Sequence, residues 1–182
     1  FTRGATVIVF ILTVSFSHRN VFILNSGDTM ARCLLFFMLF APMGKTFSFD
    51  RLIRILRKKE GDEGSLFVPW PQRMMQYQVA IMYLSTLTWK LRGEMWIDGT
   101  SVYMTSQLDE FRRFPMPEFS KSLWSSKIVT YYALFVEFAM AVLVWFKEFR
   151  YPVLIMGACL HLGLEYAMNV PVFQWVTLST YI

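Results

Sequence analysis

The chain has 182 residues, of which 55% are hydrophobic and 18% aromatic, too apolar for an ordinary soluble core. Only 17% are charged, and these sit in blocks between apolar runs, the punctuation of a polytopic membrane protein. The net charge of +5 comes without a Lys/Arg stripe interleaved with aromatics, which excludes a nucleic-acid reader.

The sequence starts at Phe1 without a methionine, and its first apolar run, residues 5–16, is too short to cross a bilayer alone. We read this start as a truncation, since "SFSHRNVF" lacks the small-residue cleavage site of a signal peptide. A fuller run follows at 29–47. Next comes "SFDRLIRILRKKEGDEG", in which Phe49, Leu52, Ile53 and Leu56 fall at i, i+3, i+4 and i+7, with Arg51, Arg54 and Lys58 opposite. Ser48 is the candidate cap and Gly61-Asp62-Glu63-Gly64 the break, so a basic amphipathic helix on the membrane surface is predicted.

A second full run, 74–91, closes in "LTWKLRGEMW". Beyond it, "WIDGTSVYMTSQLDEFRRFPMPEF" predicts an Asp98-Gly99 turn, a short helix, and a loop stiffened by Pro115 and Pro117. Runs at 127–146 and 152–168 complete the fuller spans, and "VPVFQWVTLSTYI" enters a last one that is cut short. The ten-residue alternation of a membrane barrel is missing, and lipid offers backbone groups no partner outside a helix. The expected fold is therefore all-α: a polytopic transmembrane helical bundle of four fuller spans plus two partial terminal spans, with one interfacial amphipathic helix. The lipid bilayer is its first expected partner. Cys33 and Cys159 lie in apolar runs without metal-ligand spacing and read as buried, inert thiols; no metal is expected.

Basic residues set the expected orientation. With the 47–73 connection in the cytoplasm, that side holds Arg3, Lys45, Arg51, Arg54, Arg57, Lys58, Lys59, Arg73, Lys147 and Arg150. The other side holds Arg19, Arg92, Arg112, Arg113, Lys121 and Lys127. In this frame Asp28 and Arg32 face each other at the external end of one span, and Lys90 ends the next. At a rise of about 1.5 Å per residue, Glu137 lies about 15 Å down its span and His161 about 13 Å along the following one, at nearly the same depth. Glu165 and Asn169 continue the His161 face outward. The expectation is thus a polar cluster of Asp28, Arg32, Lys90, Glu165 and Asn169 in the extracytoplasmic half, above a Glu137–His161 pair. Each member also has a bland reading. Lys90 by position is a snorkelling anchor, Asp28 and Arg32 a structural i,i+4 pair, and Glu137 and His161 either buried hydrogen-bonding groups or proton handlers.

Four segments carry a resemblance: "ILNSGDTMARCLLFFMLFAPMGKTFSFD", "YLSTLTWKLRGEMWIDGTSVY", "YYALFVEFAMAVLVWF" and "CLHLGLEYAMNVPVFQW". In this order they resemble the HTTM membrane domain, the bacterial relatives of vitamin K-dependent gamma-carboxylase. The resemblance implies one HTTM-like domain over residues 1–182, cut at both ends and placed in the bacterial cytoplasmic membrane. It also implies an unusual chemistry. In the carboxylase an amine base deprotonates reduced vitamin K, and oxygen converts the quinol to an epoxide through a strongly basic intermediate. That intermediate deprotonates the γ carbon of a glutamate, and carbon dioxide adds. Lys90, followed by Leu91 and Trp96, matches the family's lysine in its "KL…W" context, and His161 matches a late-span histidine. Lys90, His161 and Glu137 are accordingly the expected catalytic residues. A reduced quinone (vitamin K hydroquinone or menaquinol-like), with oxygen and carbon dioxide, is the expected cofactor set, and a protein or peptide the expected second substrate. Here the family's His-containing segment reads "NSGDTMAR", with Asp28 in its place, and no peptide-binding domain is visible. The alternative expectation is a non-catalytic integral membrane protein binding lipid, quinone or a partner, with Lys90 as an anchor.

Overall fold

A computed structural model describes residues 2–19, 25–42, 48–57, 68–118, 122–170 and 172–181. These form nine α-helices: α1 (Thr2–Arg19), α2 (Ser26–Met38), α3 (Phe49–Leu56), α4 (Trp70–Lys90), α5 (Glu94–Ile97), α6 (Ser101–Ser106), α7 (Leu123–Ala141), α8 (Lys147–Ala167) and α9 (Phe173–Ser179). Single 3-10 turns lie at Asp109–Phe111 and Leu143–Trp145. The all-α expectation holds, but the transmembrane one does not. Among the described residues no helix is long and apolar enough to cross a membrane. This overturns the expected spans, and with them the two-sided assignment of basic residues and the depth scale.

The reasons are local. α2 has 13 residues, about 20 Å of rise against the roughly 30 Å of hydrocarbon, and ends well before residue 47. α4 is long but carries Arg73, Lys90, three glutamines and a run of hydroxyls. α7 includes Lys127 and Glu137, and α8 opens on Lys147, Glu148 and Arg150. Apolar runs were present in the sequence, but polar residues dilute each helix that contains them.

The chain divides into two compact units, Phe1–Gln78 and Val79–Ile182, with the boundary inside α4. In the first, α1 packs on α2 through Phe10 and Phe36, whose ring centroids are 6.1 Å apart. α2 starts in a capping box: Asn25 accepts from the Gly27 and Asp28 N–H groups, and Asp28 Oδ2 accepts from the Asn25 N–H at 2.8 Å. α3 forms with Ser48 as its cap, and its Phe49, Leu52 and Leu56 are exposed. The Gly61-Asp62-Glu63-Gly64 break, Lys45, Lys58, Lys59, Lys121 and the side chain of Arg54 lie outside the described residues.

The second unit has its core on α7, where Ala133, Val136, Ala139 and Met140 meet Tyr83 of α4 and Val153 and Leu160 of α8. The small Ala133 and Ala139 let neighbouring helices approach. The Tyr132 hydroxyl donates to the Met156 carbonyl at 2.8 Å, tying α7 to α8. Between α5 and α6 the chain reverses at Asp98-Gly99, with Gly99 at φ 75, a conformation that favours glycine. The loop past Asp109–Phe111 lies along the end of α8 through an Arg112–Met168 bridge. Neither cysteine is fully buried as expected: Cys33 is half-buried and Cys159 exposed, and both are free.

Candidate functional site

α4 presents Tyr83, Leu87 and Lys90 at i, i+4 and i+7, one face of a helix. Tyr83 and Leu87 are buried, and Lys90, at the helix end, is half-buried. The chain then turns, with the Gly93 N–H donating to the Lys90 carbonyl at 2.9 Å, and α5 carries Trp96 back over the amine. Lys90 Nζ lies 4.4 Å from the centroid of the Trp96 ring, a cation–π geometry. On its other side Nζ contacts Oε1 of Glu137 from α7. The two side chains are 26% and 9% exposed, so the pair is anchored on the carboxylate side and reachable from the amine side. Glu137 Oε2 is buried and finds no donor among the described residues.

His161 has other partners. Its Nε2 lies 2.7 Å from the Tyr83 hydroxyl, and its Nδ1 contacts Oε1 of Gln174 on α9. An amide oxygen only accepts, so Nδ1 carries the hydrogen, and in the neutral ring Nε2 accepts from Tyr83. The Tyr83 oxygen is then free to accept from Tyr181, whose hydroxyl is 2.7 Å away. The rings of Tyr83, Phe173 and Tyr181 surround the imidazole with centroids 6.0–6.2 Å away. Burial pushes His161 below its ordinary value, aided by the charge of Lys90 and opposed by the Gln174 hydrogen bond. Burial likewise pushes Tyr83 far up and Tyr181 up to about 12, which keeps both phenols protonated. Gly157 makes room for this arrangement, since a Cβ there would stand 2.7 Å from the Tyr181 hydroxyl. Val172 enters α9 at φ 67, an unfavourable conformation for a β-branched residue, directly before Phe173 and Gln174.

The expected Glu137–His161 pair is thus replaced by two separate sets of contacts, Glu137 with Lys90 and His161 with Tyr83 and Gln174. Glu165 takes Arg113 and the Trp175 indole on Oε1, and the Asn169 N–H donates to the Phe111 carbonyl at 2.7 Å. Glu165 holds the 109–118 loop and α9 against the end of α8, and Asn169 holds the loop there. In the first unit Arg32 reaches Thr29 at 3.2 Å, while Asp28 serves the α2 cap. The expected Asp28–Arg32 pairing gives way to these local bonds. Sequence reasoning missed Tyr83, Gln174 and Tyr181. Signals existed for two of them: Tyr83 lies seven residues before Lys90, and Gln174 interrupts the last apolar run.

The family model of the HTTM domain matches residues 29–182. The chain belongs to the HTTM domain family. No curated protein and no solved structure matches it. Membership fits a gamma-carboxylase-related, membrane-associated family. The matched stretch of the HTTM domain takes in Lys90, Trp96, Glu137, His161 and all their partners named above, whereas Asp28 falls one residue before it.

Proposed function

We propose that this HTTM domain is an amine-base enzyme of gamma-carboxylase type acting on a reduced quinone. The observation that carries the reading is the contact of Lys90 Nζ with a buried carboxylate on one side and an indole face on the other. A hydroquinone needs aromatic or apolar surface for its ring and polar groups for its hydroxyls. Trp96 offers the first and the unpaired acceptor on Glu137 the second, so these residues fit the group. When bound, the reduced quinone supplies an acidic hydroxyl and the electrons that oxygen consumes.

Lys90 takes the part of the base. An ammonium cannot accept a proton, so Nζ has first to release one, and Glu137 Oε1 is the acceptor in contact with it. Transfer within the pair converts ammonium and carboxylate into a neutral amine and a neutral acid without exchange with bulk water. Trp96 shields Nζ and keeps it in place. His161 is a positioning residue in this scheme: kept neutral by burial and oriented by Gln174, it fixes Tyr83 two turns before Lys90 on the same face of α4. Carbon dioxide and a protein or peptide carrying the acceptor carbon complete the proposal. The many exposed apolar side chains, among them Val7, Ile8, Ile11, Leu12 and Phe16 of α1, support a location at lipid, where quinones reside.

The test is oxidation of menaquinol, ubiquinol and vitamin K hydroquinone by the intact protein in lipid under oxygen, with mass analysis for epoxide. At least one should be oxidised. In Lys90→Arg the rate should fall by about 10²–10⁴-fold at unchanged abundance, since arginine keeps the charge and does not yield its proton. Lys90→Ala should regain part of the rate with added small amines. Folded Lys90→Arg protein with near-wild-type oxidation would overturn the base. Failure with all three quinols would favour the second reading, a non-catalytic domain in which the Lys90–Glu137 pair only ties α4 to α7.

A further inference from the structure

Glu137 has an oxygen that the fold leaves unused. Its side chain is 9% exposed, Oε1 is spent on Lys90, and Oε2 is buried without a donor among the described residues. Such an atom loses its water and gains nothing in return, which is costly for an acceptor carrying charge. Glu165 Oε2 is also without a donor, but that side chain is 15% exposed and its Oε1 already takes both Arg113 and Trp175. On Glu137, whatever binds Oε2 also lies beside the Lys90 amine, because the two oxygens share one carboxyl carbon.

The proton count of the pair does not change what Oε2 can do. With Lys90 as ammonium, Glu137 is a carboxylate and both oxygens accept. With Lys90 as amine, the proton sits on Oε1 toward Nζ, and Oε2 is the carbonyl oxygen of the acid, still an acceptor. A ligand at Oε2 therefore has to bring a hydrogen-bond donor.

We infer that Glu137 Oε2 selects the redox state of the ligand, receiving a hydroxyl of the reduced quinone and rejecting the oxidised form. The inference rests on the quinol reading above and adds to it. A hydroquinone offers an O–H at each oxygen, whereas a quinone offers only carbonyl acceptors, which would face Oε2 with like partial charge and leave it unpaired. A site made to bond a substrate hydroxyl discriminates strongly against an analogue that lacks it, because its own buried group is then stranded. The same atom helps turnover: once the ligand is oxidised the donor is gone, and the product's hold weakens.

The experiment is equilibrium binding under nitrogen, to the intact protein in lipid nanodiscs, of three probes: a short-chain naphthohydroquinone, its naphthoquinone, and its dimethyl ether. The ether keeps the reduced ring and removes both donors. Wild-type protein should bind the hydroquinone at least about tenfold tighter than either other probe, the usual worth of a hydrogen bond to a charged group. Glu137→Gln keeps an oxygen for Lys90 and adds an N–H, so it should abolish the preference and tighten quinone binding. Equal affinity of wild-type protein for hydroquinone and ether would overturn the inference while leaving the quinone site standing. Binding of none of the probes would overturn both. Full preference in folded Glu137→Gln would take the selecting role from Glu137. The wild-type comparison needs no variant, so the inference is tested even if Glu137→Gln fails to fold.

Discussion

His161 links the second unit to pH through burial. Its proton affinity lies below the ordinary 6.5 in the folded chain, chiefly because the imidazole is desolvated, while the unfolded chain titrates at the ordinary value. The unfolded state therefore binds the proton more readily. Stability from this group is fully present above 6.5 and is lost as pH falls through the lowered folded value. Urea midpoints measured between about pH 7.5 and 5 should accordingly drop more steeply for wild type than for His161→Gln, which cannot titrate. Parallel profiles would show that another group carries the acid sensitivity. Contact partners make a second prediction. In double-mutant cycles Lys90 and Glu137 should couple by about 1 kcal/mol or more, and so should His161 and Tyr83, whereas Glu137 and His161 should be close to additive. Strong coupling of the last pair would contradict the two separate sets of contacts.

At the scale of elements, the meeting of α8 with the segment after α9 depends on a missing side chain. A Cβ at Gly157 would stand 2.7 Å from the Tyr181 hydroxyl and 3.1 Å from Met140 Sδ. Neither neighbour can withdraw freely, because Tyr181 is bonded to Tyr83 and Met140 is in the core. Gly157→Ala should cost about 1–3 kcal/mol by overpacking and should release Tyr181 from Tyr83. Thermal unfolding checks the first part. For the second, Tyr181→Phe should add little further loss in the Gly157→Ala background, while it costs stability in wild type. Gly99 is a milder case: at φ 75 an alanine is strained, and its Cβ would meet the Tyr131 ring at 3.0 Å.

For the whole molecule, helix positions were readable from the length of the apolar runs and their lack of strand alternation, and Ser48 and Asp98-Gly99 gave boundaries. Whether a run crosses a membrane was not, since Gln76, Gln78, Ser85, Thr86 and Thr88 within α4 each count lightly alone and decisively together. The motif singled out Lys90 as a candidate. Glu137 was paired with His161 instead of Lys90 because depth along supposed spans says nothing about which way a side chain points around a helix. Tyr181 was hidden as an ordinary member of an apolar run, while Tyr83 and Gln174 left only the faint signals of spacing and interruption. Membership of a membrane-associated family, with apolar surface on α1 and α3, leads us to expect that the intact protein floats with lipid vesicles in a density gradient. Recovery from the lipid-free fractions would contradict this. The hydrogen bond between Tyr83 and Tyr181 closes a loop of 98 residues. Closure over such a distance is entropically expensive and contributes only after intervening helices have packed, so the aromatic cage of His161 is expected to be among the last features to form. A ribosome that has just finished α8 has made Lys90, Glu137 and His161, yet the imidazole still lacks the amide that orients it. Timing of synthesis thus separates the appearance of these three residues from the moment their contacts are complete.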